Sequence, residues 1–337
     1  MEIGRFVKRG LLNPLKIRKV LTHKSVRRNV GREVNKIYHS RANQRPWNPV
    51  GIDIFAEDWD NLIILDACRH DAMQNAIKRH NLDWNLDSRI SRGSQTPEWL
   101  YANFSNRQLH DVVYVTASSM PHYLGVQNPT TPRQHEYGFN LDVHDLINVW
   151  ASPPEEAIDT YVDRAEIDVV LPAKSMIEPA VNAVEEYPDK RIIVHIVQPH
   201  DPYWGETGQQ LHKQSASPWH DKLDGTLDEP VEKLREAYRE NVDLAVNAAK
   251  TISKQISGKT VISADHGEYL YERSSPIPVR EVLHPNKTYT DVLVKVPWVE
   301  LEDERREVLE EQPVKDYRRE QKNGKTQEQL AALGYID

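Results

Sequence analysis

Between Trp59 and Val299 the chain alternates short, β-rich apolar runs with longer stretches patterned at helical spacing. The runs Leu62–Leu65, Val112–Thr116, Arg191–Val197, Thr260–Ala264 and Val292–Val299 read as buried strands. Asp71–His80, Thr96–Phe104, Pro154–Val162, Ala173–Glu186 and the long Glu229–Ile256 read as helices. Strands separated by helices imply βαβ units, so the expected fold class is α/β, with a mostly parallel central sheet flanked by helices. The polar segment Trp204–Asp228, rich in Gly, Ser and His, predicts a long loop over a site. Residues 302–325 are strongly charged and predict a solvated helix or linker.

A second apolar pattern lies upstream. Phe6, Val7, Leu11, Leu12, Leu15, Ile17, Val20 and Leu21 recur at roughly helical spacing inside a basic segment. Residues 1–46 hold 13 Lys and Arg against 2 Asp and Glu, whereas the rest of the chain holds 30 against 49. A basic N-terminal arm on an acidic body permits an amphipathic helix on an anionic membrane surface. Packing of the arm on its own body has equal claim. Nucleic acid is disfavoured, because no recognised motif accompanies the charge. Three parts are therefore expected: the arm 1–46, a catalytic domain 47–305, and a charged tail 306–337.

Composition narrows the class. At 337 residues, with 39% hydrophobic and 28% charged residues, the chain is neither disordered nor membrane-spanning in character. No apolar run approaches the roughly 18 residues that a membrane span needs, and the first residues lack a secretory stretch. The expected location is cytoplasmic, or peripheral at a membrane. A single cysteine, Cys68, excludes an internal disulfide and lies beside the first motif below.

Two motifs about 200 residues apart carry the chemistry. The apolar run Leu62-Ile63-Ile64-Leu65 ends in Asp66, and Val261-Ile262-Ser263-Ala264 ends in Asp265-His266-Gly267-Glu268. In open α/β sheets, sites assemble at the carboxyl ends of strands. Asp66, Asp265 and His266 would converge there as oxygen and nitrogen donors suited to zinc or manganese. Taken alone, Asp66 reads first as a helix cap or a turn former, and only together with the second motif as a ligand. The segment Ser91-Arg92-Gly93-Ser94-Gln95-Thr96-Pro97-Glu98 offers a hydroxyl nucleophile at a helix N-terminus. Thr96 suits the N-cap, with Pro97 at the first helical position and Glu98 in the first turn. That leaves Ser94 freer to react, so Ser94 is favoured over Thr96. Pro199 and Pro202 stiffen the loop carrying His200 and Asp201, which suits leaving-group protonation or substrate contact. His195 lies within a strand, buried or reaching the site, and His284 follows in a later loop as a ligand or substrate contact. Arg69 or Arg92 would offset charge on a transferring group.

In this order the Leu-Ile-Ile-Leu-Asp strand, the Ser/Thr segment, Gln198-Pro199-His200-Asp201-Pro202-Tyr203 and Ser263-Ala264-Asp265-His266-Gly267-Glu268 resemble the alkaline phosphatase superfamily, in its sulfatase-like and phosphoglycerol-transferase-like branch. The resemblance covers Trp59 to Pro297, and Gln329-Leu330-Ala331-Ala332-Leu333-Gly334-Tyr335 is similar to the end of many sulfatase-like chains. It implies that Asp66, the hydroxyl of Ser94 or Thr96, Asp265 and His266 hold a metal. His200 would contact substrate or leaving group, and His284 a second metal or the substrate. Two departures matter. Sulfatases carry Cys-x-Pro-x-Arg, where this chain has Ser94-Gln95-Thr96-Pro97-Glu98, and the second acid of a calcium site is here Ala67. Both point away from sulfate esters and calcium. The expected activity is hydrolysis or transfer of phosphate esters or diesters with one or two divalent ions. The substrate would be a small-molecule, glycan or lipid phosphoester. A sulfatase and a non-catalytic metal or glycan binder are the alternatives.

Overall fold

The computed structural model describes residues 24–40, 45–125, 139–152, 162–164 and 168–313. The apolar stripe of residues 6–21, the tail motif 329–335 and most of the predicted helix Pro154–Val162 lie outside them. The strands are β1 Asn61–Leu65, β2 Leu86–Ile90, β3 Leu109–Thr116, β4 Val143–Asn148, β5 Val162–Arg164, β6 Asp168–Val170, β7 Arg191–Ile196, β8 Thr260–Ser263, β9 Tyr269–Arg273, β10 Arg280–Leu283 and β11 Lys295–Leu301. The main helices are α1 Lys24–Ser40, α2 His70–Arg79, α3 Thr96–Phe104, α4 Ile177–Glu186 and α5 Val231–Ser253.

Seven strands form one sheet in the order β2-β11-β8-β1-β7-β3-β4. The pairs from β8 to β4 are parallel, and β11 runs antiparallel to both β8 and β2. The sheet is therefore mixed and mostly parallel, flanked by helices, as the alternating pattern predicts. Alternate residues of each strand enter opposite layers. Ile63, Leu65, Val113, Val115, Ile192 and Val194 join the core under α2, α4 and α5. Leu62, Ile64, Val112, Tyr114 and Ile193 join the core that holds Trp99, Leu100 and Phe104 of α3. Burial on both faces is why the central strands read as unbroken apolar runs.

Some expectations give way. The polar strands β2, β9 and β10 were not predicted, since Leu86-Asp87-Ser88-Arg89-Ile90 has little apolar content. The strand expected at Val292–Val299 begins at Lys295, after a helical turn Asp291–Val294. The expected loop Trp204–Asp228 contains two short helices, Glu206–His212 and Pro218–Asp224, seated by buried Leu211 and Trp219. Residues 302–313 carry no helix. They run across the body, with Arg306 N–H donating to Asp60 (3.1 Å) and Leu309 N–H to the Asp189 carbonyl (2.8 Å). Among the described residues, no helix is long and apolar enough to cross a membrane.

Candidate active site

β8, β1 and β7 are neighbours, so the loops at their carboxyl ends are neighbours too. The register pairs Ile64 with Ser263 and with His195. Two residues further along, Asp66 stands opposite Asp265, and the Gln198–Pro202 loop closes beside them. His200 N–H donates to the Asp66 carbonyl at 3.1 Å.

The turn after β1 ties the two motifs together. Ala67 has φ 62°, in the left-handed region that non-glycine residues seldom occupy. This aims its N–H at Asp265 Oδ1 (3.2 Å), while its carbonyl accepts from the Tyr238 hydroxyl of α5 (2.8 Å). Asp265 Oδ1 also accepts from His266 N–H at 2.9 Å. One carboxylate oxygen is thus held by two backbone amides, and Oδ2 faces the site. Gly267 is needed for close approach, since a Cβ there would stand 2.1 Å from the Val292 carbonyl oxygen.

Asp66, Asp265 and His266 are buried, and each brings one donor atom within 4.8 Å of the other two. His266 Nδ1 donates to the Gly267 carbonyl at 2.8 Å, which turns Nε2 toward the acids. Burial holds the His266 imidazole below its ordinary range. The hydroxyl that joins them is that of Thr96. Its Oγ1 lies 2.7 Å from Asp265 Oδ2, 3.2 Å from His266 Nε2, and 3.5 and 3.4 Å from the two Asp66 oxygens.

Ser94 is elsewhere. Its Oγ lies 2.9 Å from Glu98 Oε2 and 3.1 Å from the Pro285 carbonyl, two acceptors for its single proton. Ser94 is fully buried, not the freer loop residue expected from its place before the helix. The residues that organise the helix entry are Ser94 and Glu98, not Thr96. Glu98 Oε2 accepts from Ser94 N–H (2.8 Å), and Oε1 from Lys287 N–H (2.7 Å). The buried Glu98 carboxylate therefore clamps the Ser94–Thr96 loop to the loop after His284. Ser91 Oγ, which donates to the Asp265 carbonyl, tethers the same loop to the second motif. Glu98→Ala would leave these buried donors unmatched, and a loss of about 3 kcal/mol is expected in denaturant unfolding. Glu98→Gln keeps the shape and part of the acceptor set, and is expected to lose less.

A second group adjoins the first. His200, Glu268 and His284 also bring donor atoms within 4.8 Å of one another. His200 Nε2 meets His284 Nε2 at 2.9 Å, and the rings of His266 and His284 are centred 4.6 Å apart. Both Glu268 oxygens and His284 Nδ1 are buried and meet no hydrogen-bond partner among the described residues. Burial, with the Asp201 charge, raises the Glu268 carboxyl well above the usual range. Burial, with the neighbouring imidazoles, lowers His284 well below its own. Glu268 closes the second motif, and nothing in its sequence position marks it as a member of this group.

The other predicted residues lie at various distances from this cluster. His195 is fully buried in the sheet beneath Asp66. Its Nδ1 is 2.7 Å from the Tyr114 hydroxyl and its Nε2 is 3.9 Å from Asp66 Oδ2. Burial pushes its imidazole down to about 4. Asp201 is buried, 3.2 Å from His212 Nε2. The Arg69 guanidinium is engaged by Asp71 (2.8 Å) and Glu272 (2.6 Å). Arg92 points to the Ala102 carbonyl (3.1 Å) and Asp53 (3.6 Å). Neither arginine is directed at the Thr96 hydroxyl. Cys68 is buried, and its thiol is pushed above its ordinary range by burial.

No family model matches the chain, and no curated protein matches it by sequence. Its fold resembles those of several solved structures. It is similar to the zinc complex of the C-terminal periplasmic domain of EcEptC from Escherichia coli. There the identity is 14% and the TM-score 0.44, over 76% of this chain and 77% of that one. It is similar to the integral membrane lipooligosaccharide phosphoethanolamine transferase A of Neisseria meningitidis, at 13% identity and TM-score 0.45, over 86% and 59%. It is similar to the phosphonate monoester hydrolase of Agrobacterium radiobacter, at 11% identity and TM-score 0.40, over 71% and 67%. These are likenesses of fold.

Proposed function

We propose that this chain is a divalent-metal-dependent hydrolase or transferase of phosphate esters with Thr96 as its nucleophile. One observation carries the reading. His266 has committed its Nδ1 proton to the Gly267 carbonyl, so Nε2 offers a bare lone pair. That lone pair faces Asp66 Oδ1 and Asp265 Oδ2, each at 3.4 Å, beside the Thr96 oxygen. Acceptor atoms crowded together in a buried site call for a cation. Two carboxylates, an imidazole and a hydroxyl fit zinc or manganese better than calcium, which takes six to eight oxygen ligands. His200, Glu268 and His284 supply donors for a second ion, so one or two ions fit the residues present.

A bound divalent ion would lower the pKa of the hydroxyl and offset charge on the transferring group. The remaining roles belong to the chain. Thr96 Oγ1 attacks phosphorus, and a new P–O bond forms as the bond to the leaving oxygen breaks. The hydroxyl proton has an acceptor in place in Asp265 Oδ2 at 2.7 Å. The N-terminus of α3 places the attacking oxygen in a positive field. With a single ion, held by Asp66, Asp265 and His266, the contact between His200 and His284 carries one proton between two ring nitrogens, and that proton is at hand for the leaving oxygen. Water or an acceptor alcohol then removes the phosphoryl group and restores the threonine. The absence of Cys-x-Pro-x-Arg favours phosphate over sulfate.

The test is p-nitrophenol release from a phosphate monoester, a phosphate diester and a sulfate ester, with zinc or manganese added. Phosphoester turnover exceeding sulfate turnover is expected. Turnover of the sulfate ester alone would overturn the substrate class. Turnover unaffected by exhaustive chelation would overturn the metal dependence.

A further inference from the structure

α1 packs on the body with its polar face. Arg32 Nε reaches buried Glu281 of β10 at 3.1 and 3.0 Å. Asn35 Nδ2 donates to Ser274 Oγ and to the Ile277 carbonyl, both at 2.9 Å, and its Oδ1 accepts from Ile277 N–H at 2.8 Å. His39 Nε2 lies 3.0 Å from the Ser275 carbonyl, and a Cβ at Gly31 would stand 2.4 Å from Val279 Cγ1. The helix is thus seated on the β9–β10 hairpin by side chains that ordinarily face water.

Its apolar face is turned outward. Val30, Val34, Ile37 and Tyr38 follow i, i+4, i+7, i+8 spacing and are 53%, 42%, 67% and 44% exposed. Ile277, on the turn that Asn35 grips, is exposed at 39% beside them. These five make up most of the exposed large apolar side chains among the described residues. A surface helix normally does the reverse, burying its apolar stripe and wetting its polar one. A gathered apolar patch of this kind marks a contact surface.

The surrounding charge selects the occupant. Between residues 24 and 45 seven Lys and Arg accompany one acid; Arg28, Arg32 and Lys36 pair with Asp224, Glu281 and Glu33, and Lys24, Arg27, Arg41 and Arg45 keep the sequence around both helix ends basic. A second copy would bring two such basic helices together, at an electrostatic cost. An anionic phospholipid bilayer accepts both the apolar stripe and its basic flanks. We propose that α1 is a membrane-surface helix that seats this protein on anionic lipid through Val30, Val34, Ile37 and Tyr38. The hairpin it grips starts one residue after Glu268 and ends one residue before His284, so the helix would fix how the active site stands above the lipid. The proposal does not depend on the esterase reading, and its test involves no turnover.

The test is cosedimentation of the full chain with vesicles of phosphatidylcholine alone and of phosphatidylcholine mixed with phosphatidylglycerol. The wild type is expected to bind the anionic vesicles, less so as salt rises, and the neutral ones weakly. Val34→Glu with Ile37→Glu is expected to weaken binding about tenfold or more, from the lost burial of two apolar side chains. The melting temperature should stay unchanged, because both residues are exposed. Absence of binding by the wild type, or equal binding by the variant, would overturn the proposal. So would a melting temperature lowered by several degrees, which would mean that the chain itself covers the stripe. Equally adverse is a wild-type dimer that the variant dissolves, which would make a second copy the occupant. Binding to duplex DNA without binding to vesicles would assign the basic face to nucleic acid instead.

Discussion

Thr96→Ala is expected to lower phosphate-ester turnover by a factor of about 10⁴ or more, the scale on which loss of a covalent nucleophile is felt. Ser94→Ala is expected to cost far less, because the Ser94 hydroxyl serves Glu98 and the Pro285 carbonyl and not the acid cluster. Thr96→Ser is the informative control. It keeps the oxygen that lies 2.7 Å from Asp265 Oδ2 and removes only a methyl group, so it should restore a large share of the activity. The measurement is the steady-state rate of metal-supplied protein. It is joined by the intact mass after brief exposure to substrate, where a phosphoryl adduct should appear in the wild type and not in Thr96→Ala. An active Thr96→Ala beside a dead Ser94→Ala would return the nucleophile to Ser94.

The choice between these two hydroxyls shows where the sequence stops being sufficient. Both precede or open the same helix, and both suit a cap. Ser94 lies four residues before Glu98 and Thr96 two, so local rules cannot separate them. The decision comes from a contact 189 residues away, where Lys287 N–H meets Glu98 and draws the carboxylate, with Ser94, toward the His284 loop. Asp66, Asp265 and His266 were legible for the opposite reason. Asp66 follows an unbroken apolar run and the Asp265-His266 pair a run interrupted only by Ser263, and a run buried on both faces reads as a central strand whose carboxyl end opens on the site. The same logic missed β9 and β10, which hold few apolar residues and derive their place from the hairpin and from α1. It also missed the function of Ala67. A sequence shows an alanine there, but the left-handed backbone that carries its N–H to Asp265 is a tertiary outcome. On α1 the periodicity was visible in principle, at Val30, Val34, Ile37 and Tyr38. Its direction was not, because periodicity says that a helix has two faces and not which one meets the body.

Asp265→Asn separates the metal from the chemistry, and its largest effect should be seen without any substrate. In the wild type, an ion that binds only the folded state raises stability by mass action, about 2.7 kcal/mol at a free concentration of ~100 times Kd. Zinc or manganese should therefore raise the melting temperature of the wild type. The asparagine variant is expected to lose most of that rise, since a neutral amide replaces one of two anionic ligands. Its metal-free form should be no less stable than the metal-free wild type. An asparagine oxygen can still accept from Ala67 N–H and His266 N–H, as Asp265 Oδ1 does at 3.2 and 2.9 Å. The amide nitrogen would then face Asp66 and Thr96, so that a donor meets acceptors and one of two neighbouring buried negative charges is gone. Turnover should fall by about 10³-fold or more, with the fold intact. Chelator-controlled melting curves read the first effect and ester hydrolysis the second. If the variant keeps the metal-induced rise, the ion is held elsewhere, and the group formed by His200, Glu268 and His284 becomes the site to mutate next.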